Sequence, residues 1–333
     1  MDTLQFVPIL IVGFATSLGL TPLSRALALR LGVVAVPTQR NIHNDHKPLM
    51  GGMAMFLGFA VALLLFSGEA HWAAFGGVVG GAAFLALVGL LDDRFNLGIV
   101  VRLIAQSISG VILIAVGIHI QLFGVPLLDY ALTVFWVVAL TNALNFLDNM
   151  DGQAAGMTAI AAAWFTLIAF NEGLTLVSAM AAALMGSAVG FLTYNFNPAS
   201  TFMGDMGSLV LGFVLAALGI TLEFGAQPLG VTWMVPILVL ALPIFDTTLV
   251  VFTRLREGRS PFQGGKDHTS HRLMSLGLSQ RQTLAVVYAA CALFGALAFA
   301  VSVAPPDVAL ALGLVGLALL LPAFAFMMWI RSR

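Results

Sequence analysis

Apolar runs of roughly 20 residues recur along the whole sequence, broken by short polar stretches rich in Gly, Asn, Asp and Pro. A helical run of that length spans a hydrocarbon core of about 30 Å. Read between the polar breaks, the pattern predicts about eleven helices, at 4–29, 50–67, 72–91, 98–118, 127–147, 154–170, 173–193, 207–223, 229–253, 282–304 and 308–330. The expected fold class is therefore all-α, a polytopic transmembrane helix bundle. No linker, low-complexity tract or inverted repeat of the transporter kind interrupts it, so 1–333 is expected to form a single integral-membrane domain.

Composition narrows the class further. Hydrophobic residues make up 60% of the 333 and charged residues only 9%, whereas a soluble domain carries about 25% charged residues. Nothing is left over for a large soluble domain, and no basic surface suits a nucleic acid. The lone Cys291 excludes an intramolecular disulfide and a cysteine-based zinc site. Met1-Asp2 lacks the basic flank and small-residue cleavage site of a signal peptide, so the first run is expected to be a retained helix.

A net charge of -1 conceals strong segregation. With the N-terminus outside, all fourteen Lys and Arg residues fall on one side or at that side's helix ends, and the C-terminus lies with them. The positive-inside rule makes that side the cytoplasm of a multi-pass inner-membrane protein. The opposite connections carry Glu69, Asp129, Glu172, Glu223 and Asp307 and no Lys or Arg. Against that rule, Asp45, Asp92, Asp93, Asp148, Asp151, Asp205, Asp246, Glu257 and Asp267 sit on the positive side. Ionisable groups near membrane depth are costly and usually functional.

Five segments hold these groups. In GLLDDRF, Asp92 and Asp93 end the third helix, where adjacent carboxylates repel unless a cation, a basic partner or a proton compensates; Arg94 alone is the plainer explanation. In NALNFLDNMDG, Asn142, Asn145, Asp148 and Asp151 recur every three residues. They converge only if the helix ends near Asp148, with Gly152 as the break. Such amides and carboxylates suit a base and ribose, a metal, or helix capping. In YNFNPASTFMGDMGSLVLG, Asn195 and Phe202 precede Asp205, which is either a hard oxygen ligand suited to Mg²⁺ or a helix N-cap. Gly204, Gly207 and the helix dipole beginning there favour a phosphate.

The long polar loop at roughly 255–281 follows Arg254 and gathers His268, His271 and Arg272. The histidines, three apart, fit one face of a short helix opened by Asp267 and suit a diphosphate or a metal; the arginines suit anions or serve only as topological anchors. In RNIHNDHKPLMGG, Arg40, His43 and Lys47 either reach phosphate or uracil oxygens or only orient the chain.

Taken in this order, GLLDDRF, NALNFLDNMDG, FNPASTFMGDMGSLVLG, PIFDTTLVVFTRLREGRSPF and HTSHRL resemble the polyprenyl-phosphate N-acetylhexosamine-1-phosphate transferases, glycosyltransferase family 4 of the bacterial cell envelope. RNIH and KPLMGG look more like the UDP-GlcNAc branch, which primes O-antigen, teichoic acid or mycobacterial wall polymers, than like the phospho-MurNAc-pentapeptide transferase. The resemblance implies transfer of GlcNAc 1-phosphate from UDP-GlcNAc to undecaprenyl or decaprenyl phosphate, with release of UMP. It implies Mg²⁺, or Mn²⁺ in its place, on Asp205, with Asp92 and Asp93 acting on the metal or the lipid phosphate. It also implies that Asn195, Phe202, Asp148 and Asp151 hold the nucleotide. Asn149 and Ser270 depart from the family pattern, which commonly has a glycine and a histidine there. The expected partners are a UDP-sugar, a polyprenyl phosphate, the bilayer and a second copy of the chain. Direct in-line displacement is the expected route, with an aspartyl-phosphate intermediate as its rival. The reading from another class is a proton-coupled secondary transporter, which needs its carboxylates near the bilayer midplane instead.

Overall fold

The structure, a computed structural model, describes residues 6–35, 47–66, 72–224 and 228–331. In chain order it runs α1 (Val7–Leu31), β1 (Val34–Ala35), β2 (Lys47–Pro48), α2 (Gly51–Phe66), α3 (Trp72–Phe95), α4 (Ile99–Ala115) and α5 (Pro126–Leu147). There follow α6 (Gln153–Asn171), α7 (Thr175–Asn195), α8 (Gly204–Thr221), α9 (Leu229–Thr232), α10 (Met234–Val239), α11 (Ala241–Arg256), α12 (Thr269–Ser275), α13 (Gln280–Val303) and α14 (Pro306–Arg331). The two strands form one antiparallel pair, with Val34 opposite Pro48 and Ala35 opposite Lys47.

Eight of the described helices are long and apolar enough to cross a membrane, and Gly51–Leu65 and Ile99–Ala115 are shorter apolar helices. The chain is an all-α, multi-pass membrane protein. Two of the eleven expected spans, 50–67 and 98–118, are these shorter helices, and a third is broken. The segment 229–253 is not one helix: Leu229–Val239 and Ala241–Arg256 meet at a 75° bend. Proline chemistry explains both interruptions. A proline ring offers no N–H and crowds the carbonyl four residues earlier. Four before Pro236 is Thr232, where α9 ends, and four before Pro243 is Val239, where α10 ends.

Among the described residues the chain folds as two compact units, one of 6–35 and 47–223 and the other of 224 and 228–331. In the first, α8 is central. Every residue from Met206 to Leu218 is buried, and the helix packs on α2, α3 and α5. Beyond Asp205 it carries no charge, so enclosing its whole circumference strands no ionised group. The helix α7 packs on α1, α2 and α6. By contrast, α4 buries only the stripe Ala105, Gln106, Ser109, Gly110 and Leu113, and turns Val100, Ile104, Ile108 and Val111 outward. That is the two-faced pattern of a helix at the rim of a bundle.

The second unit packs α10, α11 and α12 against α13 and α14. A capping box starts α13: the Ser279 hydroxyl accepts from the Gln282 N–H, and the Gln282 side chain accepts from the Ser279 N–H.

Candidate active site

The helix α3 continues through Asp92 and Asp93 to Phe95, so both carboxylates lie in its last turn. A helix C-terminus repels anions, and each carboxylate therefore depends on tertiary partners. Asp92 is 6% exposed. Its Oδ2 lies 3.1 Å from Arg102 Nη1 in the first turn of α4, while its Oδ1 is buried without a hydrogen-bond partner. Asp93 reaches to the start of α8 and accepts the backbone N–H groups of Asp205 (2.9 Å) and Met206 (3.2 Å). It thereby satisfies donors that a helix start leaves without partners inside the helix.

This cap arrives from another helix because α8 begins without one of its own. Its N-cap is Met203, which has no side-chain capping bond, and Gly204 takes φ +70°, a left-handed conformation that glycine enters without steric cost. Asp205 is thus left free of capping duty. Its Oδ1 accepts from Asn145 Nδ2 at 2.7 Å, and its Oδ2 lies 3.3 Å from the same Arg102 Nη1 that meets Asp92. Asn145 Nδ2 also donates to Ser208 Oγ at 3.0 Å.

The break expected in the Asn/Asp ladder is present. The helix α5 ends at Leu147 with Asp148 as its C-cap, and Gly152 at φ +77° precedes α6. Burial pushes the Asp148 carboxyl up to about 7, and the charges of Asp205 and Asp151 add to the effect. Asn142 Nδ2 donates to Gln106 Oε1 at 2.6 Å and to Val138 O at 2.8 Å. Asp151 and Asn195 fasten two loops together. Asp151 Oδ2 accepts from the Ala199 N–H (2.9 Å) and from Asn197 Nδ2 (3.2 Å). Asn195 accepts from the Gly152 N–H at 3.0 Å and donates to Thr201 O at 3.1 Å. Phe202 joins the KPLMGG segment through its backbone: its N–H donates to Pro48 O (2.8 Å), and its carbonyl accepts from the Gly51 N–H (2.9 Å). Lys47 is half-buried in β2 beside them. Arg40 and His43 lie outside the described residues.

The structure thus brings Asp92, Asp93, Asn145, Asp148 and Asp205 together at one end of the first unit, with Asp151 and Asn195 holding the adjoining loops. Sequence reasoning passed over Arg102, Gln106 and Ser208. A signal existed for two of them, since Arg102 and Gln106, the charged and the amide residue of this helix, are four apart and therefore share a face. The neutralising cation is Arg102 on the next helix and not Arg94 beside the carboxylates.

Among the described residues no three His, Cys, Asp or Glu side chains form a metal-chelating group. Mg²⁺ needs fewer, because it is commonly held by one or two carboxylates together with substrate phosphates. Asp92, with one buried and unpartnered oxygen, and the part-exposed Asp205 fit that donor set.

In the second unit, the His268 ring Nδ1 lies 2.7 Å from Asp246 Oδ2, and Asp246 Oδ1 accepts the Thr269 N–H at 2.6 Å. This aspartate orients the imidazole and caps α12 at once. The short helix is therefore opened by His268 and not by Asp267, whose carboxylate goes to Arg254 (3.0 Å), Arg259 (2.9 Å) and Arg331 (2.9 Å). Burial alone would raise the Asp267 carboxyl, but hydrogen bonds from Arg259 and Arg254 hold it at about 2. Two arginines read as anion contacts serve internal acceptors. Arg254 binds Asp267 and Pro261 O, while Arg272 spans Asp267 O, Met327 O and Thr253 Oγ1. Both are buried.

His271 lies 5.6 Å from His268, ring centre to ring centre. Its Nδ1 is buried without a hydrogen-bond partner. Burial, reinforced by the charge of His268, pushes its imidazole down to about 4. In the unfolded chain it titrates near the ordinary value of about 6.5. Between those values the unfolded state holds the extra proton, so stability falls as pH drops from about 6.5 to about 4. Thermal melts of wild type and His271→Gln across that window should converge toward low pH, and parallel curves would contradict the burial of a neutral ring.

Comparison with known proteins now places the chain. Residues 75–223, α3 through α8, match the sequence model of glycosyl transferase family 4. The chain is 34% identical over 294 residues to the probable undecaprenyl-phosphate N-acetylglucosaminyl 1-phosphate transferase of Bacillus subtilis, covering 86% of this chain and 82% of that one. It belongs to glycosyl transferase family 4. Further relatives of this family 4 protein are the decaprenyl-phosphate N-acetylglucosaminephosphotransferase of Mycolicibacterium smegmatis, 32% identical over 79% of this chain and 74% of that one, and the undecaprenyl-phosphate alpha-N-acetylglucosaminyl 1-phosphate transferase of Yersinia pestis, 27% identical over 88% and 83%. The stretch matched by the family model contains every carboxylate of the cluster in the first unit.

Proposed function

We propose that this family 4 protein transfers N-acetylglucosamine 1-phosphate from UDP-GlcNAc to a polyprenyl phosphate, releasing UMP, at the cytoplasmic face of the inner membrane. The observation that carries the reading is the meeting of Asp92, Asp93, Asn145, Asp148 and Asp205 with Arg102 at one end of the first unit. The relatives' names supply the donor sugar and the lipid acceptor. The basic residues expected on that side supply the orientation.

The lipid phosphate oxygen is the nucleophile. It attacks the β-phosphorus of the UDP-sugar, a new P–O bond forms, the bond to the bridging oxygen breaks, and UMP leaves with the electron pair. An anionic phosphate needs little activation beyond alignment and charge neutralisation. Mg²⁺ held by Asp205 and Asp92 would supply that neutralisation at the diphosphate. Asp93 fixes the start of α8 and so fixes where Asp205 points. Asn145 orients the Asp205 carboxylate. A furrow of about 500 Å³ runs along the outward face of α4, lined by Val100, Leu103, Ile104, Ser107, Ile108 and Val111. It supports a place for the prenyl tail on the helix that carries Arg102.

The test is an assay of the purified protein with undecaprenyl phosphate and a panel of UDP-sugars, scoring UMP. UMP release with UDP-GlcNAc, lost in EDTA and restored by Mg²⁺, is the expected result. No release with any UDP-sugar would overturn the proposal. Release that survives EDTA would remove the metal from it.

A further inference from the structure

The side chain of Arg102 is the one cation in contact with the acidic cluster among the described residues, and its placement is unusual. A single nitrogen, Nη1, stands 3.1 Å from Asp92 Oδ2 and 3.3 Å from Asp205 Oδ2. It therefore sits between two carboxylates that belong to different helices and would otherwise repel each other. Asp92 is more than nine-tenths buried, yet its second oxygen has no hydrogen-bond partner. A guanidinium satisfies that pair of carboxylates only in part.

We infer that Arg102 is the resident counter-cation of this pocket, occupying the place between Asp92 and Asp205 that a divalent cation would take, and that the cation's arrival would free the guanidinium to bind a phosphate. The inference rests on the metal-dependent reading above and deepens it by assigning a residue that competes with the ion.

Three physical points carry it. A guanidinium cannot leave the site by losing its proton, because it stays charged at any physiological pH. If a divalent ion bridges the same oxygens, Arg102 must move. The side chain has room to do so, since it is 28% exposed and sits in the first turn of α4. A planar guanidinium released there offers donors in the fork geometry that matches phosphate oxygens. The carboxylates would thus remain neutralised before the ion binds, and the positive charge would pass to the substrate afterwards.

Mn²⁺ binding to nucleotide-free protein in nanodiscs, followed by electron paramagnetic resonance, tests this without turnover. Arg102→Gln should bind Mn²⁺ about tenfold more tightly than wild type, about 1.4 kcal/mol, and Arg102→Lys should stay close to wild type because it keeps the charge. In wild type, Mn²⁺ should also increase phenylglyoxal labelling of Arg102, a measurement that holds even if a variant fails to fold. Equal or weaker Mn²⁺ binding by Arg102→Gln, or labelling unchanged by Mn²⁺ while Asp205→Asn abolishes Mn²⁺ binding, would overturn the inference and leave the metal reading intact. No Mn²⁺ binding by wild type or by any variant would overturn both.

Discussion

Asp205→Asn is expected to lower UMP release by about 10²–10³-fold, the scale seen when a group aimed at developing charge is removed. Helix content and thermal midpoint should stay near those of wild type. The separation of the two effects follows from the partners of Asp205. The substituted amide keeps an oxygen that can accept from Asn145 Nδ2, and the α8 start is capped by Asp93 and not by Asp205 itself. What disappears is one negative charge beside Asp92 and Arg102. With that charge go a hard ligand for a divalent ion and half of the bridge that holds Arg102. Circular dichroism and a thermal melt in detergent, run beside the UMP assay, make the comparison. Substantial turnover by this variant would count against Asp205 as the metal ligand.

Gly204→Ala should cost both stability and activity. At φ +70° an alanine pays the left-handed penalty of about 1–2 kcal/mol. Its new methyl would also meet Leu49 O and an Asp93 carboxylate oxygen at distances that force one of them to move. Overpacking of that kind adds about 1–3 kcal/mol. The groups forced aside are the cap on α8 and the strand end beneath it, so Asp205 shifts with them. A displacement of about 1 Å at a reacting centre is enough for about a 10²-fold loss. Gly117→Ala is the control. Its φ is +85°, but a methyl there meets nothing within 4 Å, so only the conformational penalty of about 1–2 kcal/mol applies. If the two variants melted together and retained equal activity, the close approach at Gly204 would have no consequence for the site.

Much of the site was legible because its groups violate a simple electrostatic expectation. Carboxylates such as Asp92, Asp93, Asp148 and Asp205 appear where only cations are needed for topology, and local spacing places each at a helix end. The break at Gly152 was readable for the same reason, since four polar residues at intervals of three cannot share a face of a continuous helix. The division of labour among the carboxylates was not readable. Asp93 and Asp205 look alike in sequence, but one caps a helix while the other keeps its oxygens for Asn145 and Arg102. Asp151 and Asn195 hold groups of neighbouring loops, a task their spacing does not reveal. Arg254 and Arg272 look like anion contacts, yet they brace the loop that carries His268 and His271.

The sequence by itself determined that this protein is a helical membrane protein, because the length and purity of apolar runs are local properties that lipid enforces on any chain. It also determined which short segments hold the unusual charges. Only the tertiary structure decided which charge answers which: that Arg102 and not Arg94 meets Asp92, that Asp93 serves α8, and that Asp246 orients His268. Such pairings join residues up to 113 positions apart. Their energies depend on distances of a few ångströms and on burial, and neither is fixed until the helices have packed.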